Sequence, residues 1–243
     1  MGILATPHAF AAAASELPKP NAVKWAGAPK SAHADYLAWS DTSKVRTAGE
    51  LQMAQVMTHL KDVMPADTVY CNGAGNYATW VHRFWPFRAF ASQLAPTSGT
   101  MGYGVPAAVA AKALQPGREV MAFAGDGCFM MNGQEFATMM QYDLPVIVVV
   151  VDNGMYGTIR MHQEREYPQH VTGTQLKNPD FAALARAYGF AGVRITATAQ
   201  FESELLAALA RPEGTLIEVM LDPEVISTRG TLSAITQTAL KRA

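Results

Sequence analysis

The chain has 243 residues, of which 49% are apolar, and its formal net charge is −1 at neutral pH. This length and composition fit one large domain, or one domain with a fragment of another, around a substantial core. The balanced charge, without a long run of Lys or Arg, argues against nucleic acid or an anionic membrane as a partner.

The first 46 residues differ in texture from the rest of the chain. The stretch 7–17 is predicted to form one helix, which cannot bury an apolar face alone, so we assign 1–18 to the remnant of a preceding central domain. Residues 19–46 contain scattered Pro and small residues and are interpreted as a linker with room for one short helix. No basic region precedes the apolar N-terminal residues, and two cysteines do not make a disulfide framework, so we expect a cytoplasmic protein.

Strands and helices alternate over 47–243, the third predicted domain. Thr47 and Glu50 have capping-box spacing ahead of a helix, and Asn132 and Glu135 repeat it ahead of another. In chain order, the pattern predicts a helix over 53–64, a strand over 68–72, a helix over 101–114, a strand over 119–124, a helix over 132–142, a strand over 145–151, a helix from 178–179 to 189, a strand over 191–195, a helix over 200–210, a strand over 215–221 and a helix over 232–241. The apolar run 144–151 is too short for a bilayer, which needs about 20 residues. This alternation predicts an α/β fold: a doubly wound parallel sheet of about six strands with helices on both faces.

Polar loops follow three of the predicted strands, at 72–76, 125–128 and 152–158. In open parallel sheets, ligands bind at the carboxyl ends of the strands. Asp126 and Asn153 follow consecutive strands, so their oxygens meet at one sheet edge and suit Mg²⁺ or Ca²⁺, with a phosphate group completing the coordination. Gly125 and Gly127 allow the backbone to approach an anion closely. The sequence therefore predicts a metal ion that bridges to a diphosphate.

The segment from GDG at 125–127 to Asn153 closely resembles the thiamine diphosphate motif, in which GDG is followed some 25 to 30 residues later by a pair of asparagines. Asp152 stands here in place of the first asparagine, while the metal-binding second one is kept. The resemblance implies that Asp126, Asn153 and the carbonyl of Met155 hold the metal. The diphosphate contacts that it implies are Gly127, Cys128, Tyr156 and Gly157, and their neighbours Gly125 and Thr158 are further candidate cofactor contacts.

Two further segments resemble parts of the same family. SGTMGYGVPAAVAAKA at 98–113 is similar to the segment that supports the aminopyrimidine in acetolactate-synthase-like enzymes. There the carbonyl at the position of Gly99 accepts a hydrogen bond from the cofactor, and the side chain at the position of Met101 bends the cofactor, so Thr100 between them is also a candidate contact. NGAGNYATW at 72–80 resembles the first diphosphate loop, with candidate contacts at Gly73, Ala74, Gly75 and Asn76.

The resemblance implies the C-terminal part or subunit of a thiamine diphosphate- and Mg²⁺-dependent enzyme that decarboxylates or ligates 2-oxo acids, a lyase or a transferase. The glutamate that activates the cofactor is expected on a separate pyrimidine-binding domain or subunit, so the catalytic residue is unknown in this chain. FAD is not expected here, because it would belong to an absent central domain. We expect a homo-oligomer that is inactive without its pyrimidine-binding partner.

Other interpretations of the same residues stay open at this level. GAGNYA at 73–78 also fits the dinucleotide pattern G-x-G-x-x-A of NAD-dependent dehydrogenases. That pattern needs an acid about 20 residues later, and no Asp or Glu occurs between 73 and 118. A non-catalytic module that binds thiamine diphosphate or serves assembly is the second alternative. Cys71 and Cys128 fit packing better than nucleophilic chemistry, and the roles of His82, His162 and His170 are not decided.

Overall fold

The computed structural model describes residues 2–242, which divide into two compact units between Ser40 and Asp41. The first unit holds two helices, α1 (Pro7–Ser15) and α2 (Ala28–Trp39), and neither has a buried residue. Thr6 caps α1, because its hydroxyl oxygen accepts a hydrogen bond from the Ala9 N–H. The second helix has 12 residues and lies inside the stretch interpreted as a linker. The assignment of residues 1–46 to a domain remnant and a linker, and the start of a third domain at residue 47, stay predictions.

The second unit is an all-parallel sheet surrounded by helices, which confirms the predicted fold class. Its strands are β1 (Val69–Asn72), β2 (Gln93–Leu94), β3 (Val120–Gly125), β4 (Ile147–Asp152), β5 (Ala191–Ile195) and β6 (Thr215–Met220). Its helices are α3 (Met53–Val63), α4 (Ala78–Phe84), α5 (Gly104–Leu114), α6 (Asp126–Asn132), α7 (Phe136–Gln141), α8 (Gly157–Glu166), α9 (Phe181–Ala187), α10 (Phe201–Ala210) and α11 (Leu232–Leu240). The six strands lie in the order β2-β1-β3-β4-β6-β5.

Both faces of the sheet are covered by apolar side chains. Along β3 and β4, alternate residues enter two separate core clusters, one with Phe123 and Val149 and the other with Ala122 and Val148. The first cluster contains residues of α3, α4 and α10, and the second contains residues of α5, α7 and α9. Because both faces are covered, the central strand β4 is a continuous apolar run without alternation.

The strand order changes direction between β1 and β3, since β2 lies on the far side of β1. Crevices at such a switch point, outside the carboxyl ends of the strands, are where open α/β sheets bind ligands. The register pairs Gly125 with Val151. Asp126 and Asp152 are the next residues along the chain from this pair, so they lie side by side at the carboxyl ends of β3 and β4.

Both predicted capping boxes are wrong. Gln52 is the cap position of α3, and the Thr47 N–H and hydroxyl donate to the Gln52 side chain rather than closing a box with Glu50. The helix predicted from residue 132 begins earlier, at Asp126, and breaks into a 3-10 turn at 133–135 before α7. Asn132 makes no cap there, because its side-chain amide donates to the Gly102 carbonyl.

The start of α9 also differs from the prediction. Asp180 caps this helix through a 2.7 Å hydrogen bond from the Ala183 N–H. Asn178 lies ahead of the helix and contacts the strand ends.

Cys71 and Cys128 are buried free thiols. Within residues 2–242, no helix is both long enough and apolar enough to span a membrane.

Candidate cofactor site

A cavity of about 210 Å³ lies at the carboxyl ends of the central strands. Its walls come from the loops after β1 and β4, from the end of β3 with the start of α6, from the loop ahead of α5, and from the segment after β6. The residues that line it are Ala74, Gly75, Asn76, Tyr77, Trp80, Gly99, Met101, Gly125, Asp126, Gly127, Cys128, Val151, Asn153, Met155, Tyr156, Gly157, Thr158, Ile159, Leu221, Val225 and Ile226.

The fold thus brings nearly all of the sequence-predicted cofactor residues around one cavity, although their assignment as contacts stays a prediction. Gly73 and Thr100 are the two that do not line it. Gly73 is buried behind the wall, where an added Cβ would lie 2.6 Å from the Cys128 sulfur. Thr100 is exposed, and its carbonyl accepts a hydrogen bond from the Ala74 N–H, which joins the loop before α5 to the loop after β1.

Two buried acids meet at the carboxyl ends of β3 and β4, and one of them, Asp126, lines the cavity. Asp126 is 3% exposed and Asp152 is 5% exposed. Asp126 accepts hydrogen bonds from the Gly127 N–H and from the Asn178 amide, each at 2.8 Å. Asp152 accepts from the same Asn178 nitrogen at 2.8 Å and from the Gly154 N–H at 2.9 Å. Burial, and then the neighbouring charge of Asp152, raise the pKa of Asp126 to about 6 against the opposing hydrogen bonds.

The other two predicted metal ligands lie on the loop after β4. Asn153 and Met155 both line the cavity beside Asp126. An isolated antiparallel bridge pairs Met155 with Gln175. The hydrogen bonds that flank it use the carbonyls of Gly154 and Thr174, and not that of Met155. Within residues 2–242, no three His, Cys, Asp or Glu side chains gather in a way that could hold a metal ion, so any cation here would need amide or carbonyl oxygens beside Asp126.

Asn76 joins three of the loops that form the cavity. Its backbone N–H donates to the Thr158 hydroxyl oxygen at 3.0 Å, and that hydroxyl donates to the Asn76 side-chain oxygen at 3.1 Å. The Asn76 amide nitrogen donates to the Ile226 carbonyl at 2.8 Å. Asn76 therefore fixes the loop after β1 relative to the start of α8, which follows the β4 loop, and to the segment after β6.

Two tyrosine rings fill the space that the glycines leave open. An added Cβ at Gly125 would lie 2.7 Å from the Tyr77 ring, and one at Gly127 would lie 2.5 Å from the Tyr156 ring. The Tyr77 hydroxyl lies 3.0 Å from the Cys128 sulfur, and burial and then that sulfur raise the pKa of the phenol. The glycines of the GDG turn are therefore needed for packing inside this chain as well as for access to a ligand.

Sequence reasoning missed the apolar part of the wall and one polar residue. Trp80 on α4 lines the cavity, as do Leu221, Val225 and Ile226 of the segment 221–226. That segment follows β6, so the rule that ligands lie at strand ends could have pointed to it. The sequence pattern predicts Asn178 at a helix start, but its side-chain amide bridges the two buried acids.

The residues whose roles the sequence left open lie mostly outside the cavity. Among the described residues, His82, His162 and His170 are exposed, and none of them lines it. Cys71 does not line it either, and burial raises the pKa of its thiol to about 12. Cys128 does line it, and its sulfur accepts a 3.0 Å hydrogen bond from the Gly102 N–H. That bond ties α6 to the loop that carries Met101.

Comparison with known proteins identifies the family to which these residues point. The family profile described as "Thiamine pyrophosphate enzyme, C-terminal TPP binding domain" matches residues 73–219. That match includes the loops after β1 and β4 and the start of α6, and also the segment 73–78 that fits the dinucleotide pattern.

Individual relatives agree with the family match. The acetolactate synthase large subunit of Parasynechococcus marenigrum (strain WH8102) is 37% identical over 175 residues, which are 70% of this chain and 28% of that protein. The acetolactate synthase isozyme 2 large subunit of Escherichia coli (strain K12) is 34% identical over 169 residues, which are 69% of this chain and 31% of that protein. The chain therefore spans less than a third of the length of these curated relatives.

A solved structure shares the fold. It is the thiamine diphosphate-dependent 4-hydroxybenzoylformate decarboxylase of Rhodococcus jostii RHA1, with a TM-score of 0.68 and 29% identity. The match covers 73% of this chain and 34% of that chain. The resemblance noted in the sequence is thus confirmed by the family profile, by curated relatives and by a solved structure.

Proposed function

This chain belongs to the thiamine pyrophosphate enzymes and carries their C-terminal cofactor-binding domain, and we propose that its cavity binds the diphosphate of thiamine diphosphate through a Mg²⁺ ion. Asp126, Asn153 and the Met155 carbonyl would hold the ion. They offer the oxygen ligands that Mg²⁺ prefers, with the diphosphate and water completing the coordination.

The observation that carries this proposal is the charge of the cavity wall. Among the described residues that line it, none is Lys, Arg or His, and Asp126 has the only carboxylate. A diphosphate carries several negative charges and would be repelled by a buried carboxylate at close range. A divalent cation between them turns this repulsion into attraction, so the residues present fit a metal-bound diphosphate better than a free one.

The backbone supports the same arrangement. Gly157 and Thr158 are the first two residues of α8 and line the cavity, so the N–H groups at the start of that helix favour an anion there. The Gly99 carbonyl and the Met101 side chain lie on the loop that Cys128 and Asn132 hold through Gly102. That loop would orient the other end of the cofactor, as the family resemblance implies.

The chemistry that follows is proposed from the relatives. Thiamine diphosphate supplies, when bound, a carbon nucleophile for the carbonyl of a 2-oxo acid and an acceptor for the electron pair released with CO₂. We assign 2-oxo acid decarboxylation or carboligation to the complete enzyme, because the relatives are named acetolactate synthases and a 4-hydroxybenzoylformate decarboxylase. This chain would bind and orient the cofactor and exclude water with the apolar wall at Trp80 and 221–226.

The group that activates the cofactor is proposed to come from a partner. With Asp126 assigned to the metal, the described part of the chain places no second carboxylate in the cavity wall to hold a proton on the cofactor ring. A glutamate on a pyrimidine-binding domain or subunit would supply it, in an oligomer that we place in the cytoplasm. The same observation favours the second candidate, a module that binds the cofactor without turning it over by itself.

Calorimetric titration tests the proposal. Thiamine diphosphate is titrated into the full chain with and without Mg²⁺, and we expect binding that depends on the metal. Asp126→Ala should remove that dependence, because the main charged ligand is gone. Asp62→Ala makes the same change of charge on an exposed residue of α3 and should bind like the wild type. Equal binding by the wild type with and without Mg²⁺ would refute the metal assignment.

A further inference from the structure

We propose that Asn178 is a positioning residue of the cation site. Its side-chain amide holds the carboxylate of Asp126 towards the cavity by bridging it to Asp152. The inference rests on the proposed function, since it concerns the site at which Asp126 would bind Mg²⁺. It adds a group that lies outside the motif from Gly125 to Asn153.

The geometry of one nitrogen atom carries the proposal. Asn178 Nδ2 lies 2.8 Å from Asp126 Oδ2 and 2.8 Å from Asp152 Oδ1. A primary amide nitrogen has two hydrogens, so it can donate one to each carboxylate. Asp126 lines the cavity, whereas Asp152 and Asn178 are absent from its wall. The amide therefore acts from behind, on the side of Asp126 that faces away from a bound ligand.

Asn178 is held on both sides along the chain. Ahead of it, the Leu176 N–H donates to the Gly154 carbonyl at 2.8 Å, and the Tyr156 N–H donates to the Thr174 carbonyl at 2.9 Å. These bonds tie its own segment to the loop that carries Asn153 and Met155.

Beyond Asn178, the start of α9 is tied to the sheet. The Ala182 N–H donates to Glu218 on β6 at 3.3 Å. Arg194 on β5 forms two 2.9 Å hydrogen bonds with that carboxylate and lies 3.6 Å from Asp180. With its segment fixed at both ends, the amide can set the orientation of Asp126 instead of following it.

The arrangement also keeps the two acids in different roles. Asp152 Oδ1 accepts from both Asn178 and the Gly154 N–H, which fixes its carboxylate at the end of β4. Asp126 receives one bond on each oxygen, from Gly127 and from Asn178. A carboxylate oxygen can accept more than one bond, so lone pairs remain on Asp126 for a cation. Hydrogen bonds to a metal-binding carboxylate typically change metal affinity by about 10- to 100-fold.

The test measures Mg²⁺ affinity directly and does not depend on turnover. Mg²⁺ is titrated calorimetrically into the full chain in the presence of saturating thiamine diphosphate. Asn178→Ala should raise the apparent Mg²⁺ dissociation constant about 10- to 100-fold. Excess Mg²⁺ should restore the wild-type amount of bound cofactor, which a collapsed segment would not allow. Lys177→Ala, an exposed neighbour on the same segment, should leave the constant within about twofold of the wild type.

A second variant covers the case in which alanine disturbs folding. Asn178→Gln keeps an amide but moves it by one methylene group, so it should also weaken Mg²⁺ binding by about tenfold or more while melting near the wild-type temperature without metal. If either variant folds and binds Mg²⁺ with wild-type affinity, the inference is wrong, while the proposed function remains intact. A wild-type chain that binds no Mg²⁺ with the cofactor would overturn both.

Discussion

Removal of the Arg194 guanidinium should destabilise the sheet at the point where it holds the Asn178 segment. Arg194 donates from Nε and Nη2 to the two oxygens of Glu218, each at 2.9 Å. Glu218 is 0% exposed, while the Arg194 side chain is 40% exposed. Its hydrogen bonds with Glu218 raise the pKa of Arg194, so the guanidinium is charged in the folded chain. Arg194→Met therefore leaves a buried carboxylate without its partner.

The expected cost is about 3 kcal/mol. Breaking a buried ion pair from one side costs about 3–5 kcal/mol, and the exposure of Arg194 places this pair at the lower end. Arg194→Lys keeps the charge but cannot form the forked contact, so about half of that loss is expected. Arg194→Met combined with Glu218→Met removes both charges. It should recover most of the stability, apart from about 1 kcal/mol for the bond from the Ala182 N–H.

Urea unfolding followed by circular dichroism at neutral pH gives these free energies. The wild type should be the most stable, followed by the lysine variant and then the methionine variant, with the double variant well above the single one. An ordinary surface change alters the free energy of unfolding by up to about 0.5 kcal/mol. If Arg194→Met stays within that range of the wild type, the ion pair does not anchor the segment. A double variant no better than the single one would contradict the account of an unpaired buried charge.

Two other predictions concern the contact between Glu164 on α8 and Thr236 on the C-terminal helix α11, and the catalytic activity of the chain alone. Burial alone would raise the pKa of Glu164, but hydrogen bonds from the Gln169 N–H and the Thr236 hydroxyl, together with Arg160, hold it below its usual value. Its contribution is therefore present above the unfolded pKa of about 4.3 and is lost as the pH falls through the folded pKa. Glu164→Gln should melt below the wild type at pH 7, and that gap should close below about pH 4; a constant gap would contradict the charge argument. The chain alone, with thiamine diphosphate, Mg²⁺ and pyruvate as the probe, should release no CO₂, and steady turnover without a partner would overturn the proposed need for one.

The sequence was sufficient for the five longer strands, because each is marked independently of its partners, but the two-residue strand β2 at the edge of the sheet has no such mark. Continuous apolar runs such as 145–151 identify strands covered on both faces, and the alternation with helices gives parallel order. The position of Asp126 beside the loop of Asn153 follows from that order alone. The grouping of distant cofactor segments around one cavity was therefore predictable once the sheet was correct.

The features that were missed depend on partners far away in the chain. Asn132 has the residue type and spacing of a helix cap, but its amide is used by Gly102, 30 residues earlier. Asn178 precedes a proline like a helix start, but its partners are Asp126 and Asp152, 52 and 26 residues away. A local pattern cannot show which of two competing hydrogen bonds a side chain makes, because tertiary contacts decide between them.

The position of Asp152 explains why this site should favour a cation more strongly than its three proposed ligands suggest. The pairing of Gly125 with Val151 forces the two acids together, since they could separate only by breaking the ladder. Asn178, Gly127 and Gly154 donate hydrogen bonds to the acids, which offset part of the burial and the repulsion but do not cancel them. Burial and this repulsion raise the pKa of Asp126 to about 6. Without a ligand, the ionised form of Asp126 is therefore destabilised. A divalent ion bound to Asp126 would stabilise the ionised carboxylate and displace any proton from it. The diphosphate would then meet a site whose negative charge is already offset by the ion.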